Sequence, residues 1–291
     1  MDWQNILKEA KSKDEIIKIL ENIKFYPTFK EVEGNKYAVV VIPTKEVNGK
    51  WAKADLEIFK GLHIIFVVDG KGTFKISQAI NKGVEKALKY NPKWIIISND
   101  DMYKIDDIKK LISELKKSED YDTLFFPKSN TYSNGTVVAK PFLQKYIRYV
   151  RMGWRKEYQK IVDRLGIKYE LLDFKDHGFM YSNLAYKKNL FIKIPNHQGS
   201  FIILNAKYVR NVLKGKIFDE IFYNGHEDTY LCYRYLNNSR YKFSNFNIGT
   251  YIGKSLGTGI NRAFWELANE VYFEYLIREL VHPTKKQNSK A

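Results

Sequence analysis

Apolar residues in this chain gather into short runs divided by polar, Gly- or Pro-marked breaks, and the period of the runs changes along the sequence. Ser12 followed three residues later by Glu15 is a capping box, and Ile16, Ile17, Ile19, Leu20 and Ile23 continue at helical spacing, which predicts an N-terminal helix. Tyr37 to Ile42 is a β-branched run closed by Pro43 and reads as a buried strand; Leu62 to Val68 is a second, closed by Asp69 and Gly70. The polar stretch from Lys45 to Lys53 has room for a loop or a short crossover helix. Ile76, Ala79, Ile80, Gly83, Val84, Ala87 and Leu88 then share one helical face that Pro92 ends, and Trp94 to Ser98 is a third strand. A helix through Ile105 to Leu115 and a fourth strand over Tyr121 to Phe126 follow. Strands alternating with helices predict an α/β fold with a mostly parallel sheet covered on both faces.

Beyond that half the pattern changes. From Lys140 to Arg164, Lys145, Arg148, Arg151, Arg155, Lys156 and Lys160 interleave with Phe142, Tyr146, Tyr149, Trp154 and Tyr158, and the segment reads as a basic, aromatic helix. Such a helix suits an anionic interface, where cations meet phosphate and rings lie at headgroup level; an ordinary amphipathic helix with its rings in the core has the same composition. Ser200 to Leu204 reads as a strand, with Asn205 placed to cap a helix through Leu213. A short helix is expected over Glu227 to Leu236 and a long one through Phe264, Leu267, Ala268, Val271, Tyr275 and Leu276. The expected organisation is an N-terminal helical extension over 1–30, a central domain over 31–255, a C-terminal helix over 256–282 and a disordered tail over 283–291. The central domain divides into a first half, 31–128, and a second half, 129–255, which carries the basic helical insertion at 140–166.

Composition narrows the partners. The formal charge of +16 favours acidic ones: nucleic acid, anionic headgroups or phosphorylated small molecules. A single Cys leaves no disulfide framework and no Cys-rich zinc site. The first residues lack the basic-then-apolar pattern of a secretion signal, and no apolar run approaches the roughly 20 residues of a spanning helix, so a cytoplasmic location is expected, with peripheral membrane contact through 140–166.

In an open parallel sheet, ligands bind beyond the carboxyl ends of the strands. Three predicted strands end there in Pro43 and Thr44, in Asp69, and in Asn99, Asp100 and Asp101. Carboxylates on one edge of a Lys-rich protein suit Mg²⁺ or Mn²⁺, which takes one or two protein carboxylates and completes its shell with water and substrate phosphate. Asp100 or Asp101 alone would be as well explained as a helix cap; the pair together with Asp69 is not.

These residues resemble the family-2 glycosyltransferases, whose GT-A fold begins with a nucleotide-binding α/β half. Val41, Ile42, Pro43 and Thr44, then Val67, Val68 and Asp69, the helix with Asn81, Lys82 and Gly83, and Ser98, Asn99, Asp100 and Asp101 follow the family's order, the last group resembling its DXD-type motif. A second block, Gly199 and Ser200, then Phe218, Asp219 and Glu220, then His226, Glu227 and Asp228 with Arg234, resembles its acceptor-side signature. The resemblance spans roughly residues 37 to 240.

It implies transfer of a sugar from a nucleotide-diphosphate donor to an acceptor hydroxyl of a glycan, lipid-linked molecule or protein, with inversion by direct displacement. Pro43, Thr44, Asp69, Asn81, Gly83, Asn99 and Asp100 would lie on the donor side and Asp101 on the metal. Gly199, Ser200, His226 and Arg234 would lie on the acceptor side. Asp228 would be the general base, with Glu227 as the alternative. One departure stands out: where many relatives carry a His that completes the metal site, Ile248 to Gly257 holds Tyr251 and no His.

Two other functions compete. A sugar-phosphate nucleotidyltransferase should carry a Gly-rich loop with an Arg after the first strand, where Pro43, Thr44, Lys45 and Glu46 stand. A non-enzymatic nucleic-acid binder leaves the strand-end carboxylates unexplained, so no nucleic-acid partner is expected.

Overall fold

The computed structural model describes residues 1–69, 75–125, 136–139, 146–151, 155–167, 169–174, 191–194, 199–251 and 260–281. In chain order the elements are α1 (Trp3–Glu9), α2 (Lys13–Asn22), β1 (Thr28–Val32), β2 (Asn35–Thr44), α3 (Lys50–Ile58), β3 (Leu62–Val68) and α4 (Ile76–Leu88), then β4 (Trp94–Ser98), β5 (Met102–Lys104), α5 (Ile108–Lys116) and β6 (Thr123–Phe125). They continue with β7 (Thr136–Ala139), β8 (Tyr146–Arg151), α6 (Arg155–Arg164), β9 (Tyr169–Phe174) and β10 (Phe191–Ile194), then β11 (Phe201–Asn205), α7 (Ala206–Asn211), α8 (Glu227–Arg234), β12 (Tyr241–Phe243), β13 (Ile248–Thr250) and α9 (Ile260–Val281). Described parts of 24–136 and 194–256 form one compact unit; those of 1–23, 137–193 and 257–291 form another.

The larger unit is α/β, built on a seven-stranded sheet in the order β1-β3-β2-β4-β11-β6-β12. Its centre is parallel: β2 pairs β3 with Val41 opposite Ile65, and pairs β4 with Val41 opposite Ile97. These strands are buried on both faces, as continuous Val and Ile runs require. The sheet is mostly parallel with mixed flanks: β6 and β12 run the same way as β2, β3 and β4, while β1 runs antiparallel to β3, and β11 runs antiparallel to both β4 and β6.

Direction is what positions the site. β2, β3 and β4 point the same way, so Thr44, Val68 and Ser98 end at one rim. Antiparallel β11 begins at that rim, with Phe201 opposite Ser98, and delivers Gly199 and Ser200 to it.

Helix α4 closes on this sheet unusually tightly. A Cβ on Gly83 would lie 2.3 Å from Val41 Cγ1 and 2.7 Å from Val67 Cγ2, so the helix approaches as near as its backbone allows. Asn81, two residues earlier, is spent on the chain beside it. Its Oδ1 accepts the N–H groups of Ile217 and Phe218 at 2.9 and 3.0 Å, and its Nδ2 donates to the Phe218 carbonyl at 2.8 Å.

In the smaller unit α1 and α2 pack on α9. Ser12 caps α2 by accepting the Glu15 N–H at 3.2 Å, as its capping box predicts. Arg164 donates to the carbonyls of Leu7 and Lys8, closing the open end of α1. The helix expected over 140–164 is corrected here. Among the described residues of this segment Arg155–Arg164 is helical, whereas Tyr146–Arg151 is a strand paired in parallel with β9. Its alternating Tyr, Ile, Arg, Tyr, Val, Arg favours the pleated conformation once a partner strand is present. Tyr158 is fully buried and stacks on Phe264 at 5.5 Å, so this ring packs a core instead of meeting an interface. Lys140, Phe142, Lys145 and Trp154 lie outside the described residues, as do residues 283–291. No helix among the described residues is long and apolar enough to cross a membrane.

Candidate functional site

The rim is organised first by Thr44, the last residue of β2. Its hydroxyl donates to Asp100 Oδ2 at 2.8 Å, and its carbonyl accepts the Asp69 N–H at 3.3 Å, so the ends of β2, β3 and β4 are tied together. Thr44, Asp69, Asp100 and Asp101 are all buried. Pro43, Thr44, Asp69, Asn99, Asp100 and Asp101 therefore occupy one place in the fold.

A second link joins this group to Gly199, Ser200 and Asp228. The Asn99 N–H donates to the Ser200 carbonyl at 2.8 Å, and the Gly199 N–H donates to Asp228 Oδ2 at 2.7 Å. From Asp100 to Asp228 the path runs through Asn99, Ser200 and Gly199, each step a covalent bond or a short hydrogen bond. The carboxylate of α8 thus reaches the rim on which the strand-end pair stands.

Glu227 and Asp228 share the first turn of α8, where a helix favours negative charge. His226 precedes them in the left-handed region at φ 68°, an unusual conformation for a residue with a side chain, and this turn sends Glu227 back to the Gly225 N–H. Burial, and then the charge of Asp228, push Glu227 up to about 8. Burial also raises Asp228, but the N–H groups of Gly199 and Thr229 and the Thr229 hydroxyl hold its charge against that rise. Asp228 is thus the better supplied of the two with donors that favour its ionised form.

Asn81 and Gly83 take no place at the rim; they fasten α4 to its neighbours, as described. Arg234 lies at the far end of α8, with its guanidinium 5.8 Å from the ring centroid of Tyr235. His226 acts as the N-cap residue of α8, and its carbonyl accepts the Tyr230 N–H at 2.8 Å. His63, in β3, is a buried packing residue whose Nε2 lies 2.9 Å from Glu31 Oε2.

Three residues of the rim have no counterpart in the sequence reading: Trp51, Asp55 and Tyr103. The Tyr251 N–H donates to the Asp101 carbonyl at 2.8 Å, and its ring meets those of Tyr103 at 4.9 Å and Trp51 at 5.4 Å. Tyr251 is 47% exposed, so beside Asp101 the protein presents a partly open aromatic wall. Gly249 permits it, because a Cβ there would meet the Tyr103 ring at 2.0 Å.

Asp55 lies one turn beyond Trp51 on α3 and is fully buried, and neither of its oxygens has a hydrogen-bond partner among the described residues. Burial pushes this carboxyl up to about 10, with the Asp100 and Asp101 charges acting in the same direction. A signal for it was present. Ala52, Asp55, Ile58 and Phe59 follow helical spacing on a buried face, and a carboxylate in an apolar stripe calls for a reason.

Among the described residues no group of three or more His, Cys, Asp and Glu side chains is gathered to hold a metal ion unaided. A Mg²⁺ or Mn²⁺ shared with a diphosphate asks for less: one or two carboxylates, with phosphate and water supplying the remaining oxygens. Asp100 and Asp101 suit that donor set, and the unpartnered carboxyl of Asp55 beside them is a further oxygen group without a donor of its own. A cavity of about 530 Å³ opens at the opposite end of the sheet, near Asn91, Asn205 and Arg240. Ion pairs there join Lys93 to Glu119 and Arg240 to Asp122.

No protein-family model matches the chain, and no curated protein is significantly similar to it.

Proposed function

We propose that the protein is a metal-dependent glycosyltransferase of GT-A type that moves a sugar from a nucleotide-diphosphate donor onto an acceptor hydroxyl in the cytoplasm. One observation carries the reading: a strand-end Asp pair and a separate helix-N-terminal Asp share one rim through Asn99, Ser200 and Gly199.

In this reading Asp100 and Asp101 hold Mg²⁺ or Mn²⁺, whose charge, when bound, offsets the negative charge gathering on the departing diphosphate. Thr44 fixes the rotamer of Asp100, and Asp69 and Asn99 border the donor. Trp51, Tyr103 and Tyr251 offer a flat face to a donor ring, the task left to that position by the replacement of His by Tyr251. Asp228 takes the proton of the acceptor hydroxyl as its oxygen attacks the anomeric carbon and the bond to diphosphate breaks. Attack opposite the leaving group inverts that carbon. Glu227, raised by burial and by the charge of Asp228, is the alternative base in the same turn.

The nucleotidyltransferase and nucleic-acid readings gain no observation from the structure. The test is turnover of a panel of UDP-, GDP-, ADP-, CDP- and dTDP-sugars, followed by release of nucleoside diphosphate with and without Mn²⁺. Release from at least one donor, abolished by chelation with EDTA and restored by Mn²⁺, is expected. Release of nucleoside monophosphate plus sugar phosphate, or no turnover of any donor, contradicts the proposal.

A further inference from the structure

Asp55 stands apart among the buried groups of the larger unit. A carboxyl in an apolar interior normally takes hydrogen bonds from the chain that surrounds it, because a buried polar group without a partner has lost its water and gained nothing in return. Asp55 takes none from the described residues, although both of its oxygens are closed off from solvent. It is also placed beside two further carboxylates, whose charges act on it directly. A protein that needed only to fill space at this point of α3 would gain from an apolar residue like its neighbours Ala52 and Ile58.

The surroundings say which way the group faces. Helix α3 packs against β5, the strand that directly follows Asp101, and Ala52 and Ile58 share a core cluster with Met102 of that strand. Trp51, one turn earlier on α3, meets the Tyr251 ring, and the Tyr251 N–H is bonded to the Asp101 carbonyl. Asp55 thus approaches the strand-end pair from the helix side, while Thr44 holds Asp100 from the sheet side. What the group lacks is a set of donors that the chain does not provide. Water molecules on a divalent cation are such donors, and Mg²⁺ and Mn²⁺ retain several when one or two carboxylates bind them.

We infer that Asp55 is a third carboxylate of the cation site, a positioning residue that accepts hydrogen bonds from the ion's water ligands rather than binding the ion itself. The inference rests on the proposed metal-dependent transferase reading. In this arrangement Asp55 acts across a water layer, orienting the ion's water ligands beside Asp100 and Asp101.

The test is Mn²⁺ binding to the full chain by electron paramagnetic resonance, with the ion alone and with UDP, GDP, ADP, CDP or dTDP, for wild type, Asp55→Asn and Asp55→Ser. Loss of an outer-layer partner of this kind weakens metal binding about 10- to 100-fold. Both variants are expected to lose Mn²⁺ affinity by at least tenfold while their metal-free melting temperature stays level or rises, because a buried acid has been removed. A purely structural role predicts the reverse, a lower melting temperature with Mn²⁺ affinity intact, and either variant that binds Mn²⁺ as wild type does overturns the inference alone. If wild type binds no Mn²⁺ under any of these conditions, the transferase reading fails and this inference fails with it.

Discussion

Asp228→Asn is expected to lower the turnover number by about 10²- to 10⁴-fold, the range supplied by a positioned general base, while nucleoside-diphosphate affinity stays within about twofold of wild type. Asn keeps an oxygen for the Gly199 N–H, so the geometry that links α8 to the rim survives and only the proton acceptor is lost. A matching pH profile follows from the sign of the shift. Asp228 is raised above the ordinary aspartate range by burial, and the base must be ionised to work, so the rate falls as pH drops through a value above the usual 3.8. Asp228→Asn removes that limb from what activity remains. Stopped assays across the pH range, with donor affinity measured separately, check both parts. A variant with an intact turnover number would exclude Asp228 as the base.

The second large effect concerns Gly83. Its resemblance-based place is on the donor side, but its position on α4 makes it a packing residue. Gly83→Val drives methyl groups into Val41 and Val67, which stand in adjacent buried strands with no room to retreat. Overpacking of this kind costs about 3 kcal/mol or more when a backbone has to move. For a chain of 291 residues that lowers the melting temperature by roughly 5 °C or more. Thermal unfolding of the unliganded variant reads this directly. A normal melting temperature combined with lost donor binding would return Gly83 to the donor side.

Comparison of these two positions shows what kind of information the sequence carried. The buried centre of the sheet was legible because β2, β3 and β4 are continuous Val and Ile runs, and α4 because its apolar positions keep a helical period. Strand direction was not legible. β11 lies more than a hundred residues from β4, and nothing in Phe-Ile-Ile-Leu-Asn separates a parallel return from an antiparallel one. That antiparallel return is nevertheless what brings Gly199 to Asp228. Short elements escaped for a related reason: β5 and β13 have three residues each and exist through pairing with one another. Their pairing builds the Tyr251 wall, so the wall was invisible until both were placed. Residues 146–151 misled in the opposite direction. Basic and aromatic positions there fit an amphipathic helix as well as a strand, and the partner at 169–174 decided between them.

The strand-end acids were identifiable because clustered Asp residues after apolar runs require a reason in a basic protein. Asp55 was overlooked because the Lys-rich start of its helix reads as loop, which hides the apolar stripe in which it sits. Asn81 illustrates the converse. Its motif position pointed to a ligand, whereas its three polar contacts to residues 217 and 218 account for it as a clamp.

The most direct measurement is the thermal shift produced by nucleoside diphosphates with and without Mn²⁺ on wild type and Asp101→Ala. The account predicts a Mn²⁺-dependent rise in melting temperature with at least one nucleoside diphosphate, absent in Asp101→Ala, whose own unliganded melting temperature shows it folded. A shift of equal size in Asp101→Ala, or one that ignores Mn²⁺, would contradict the account.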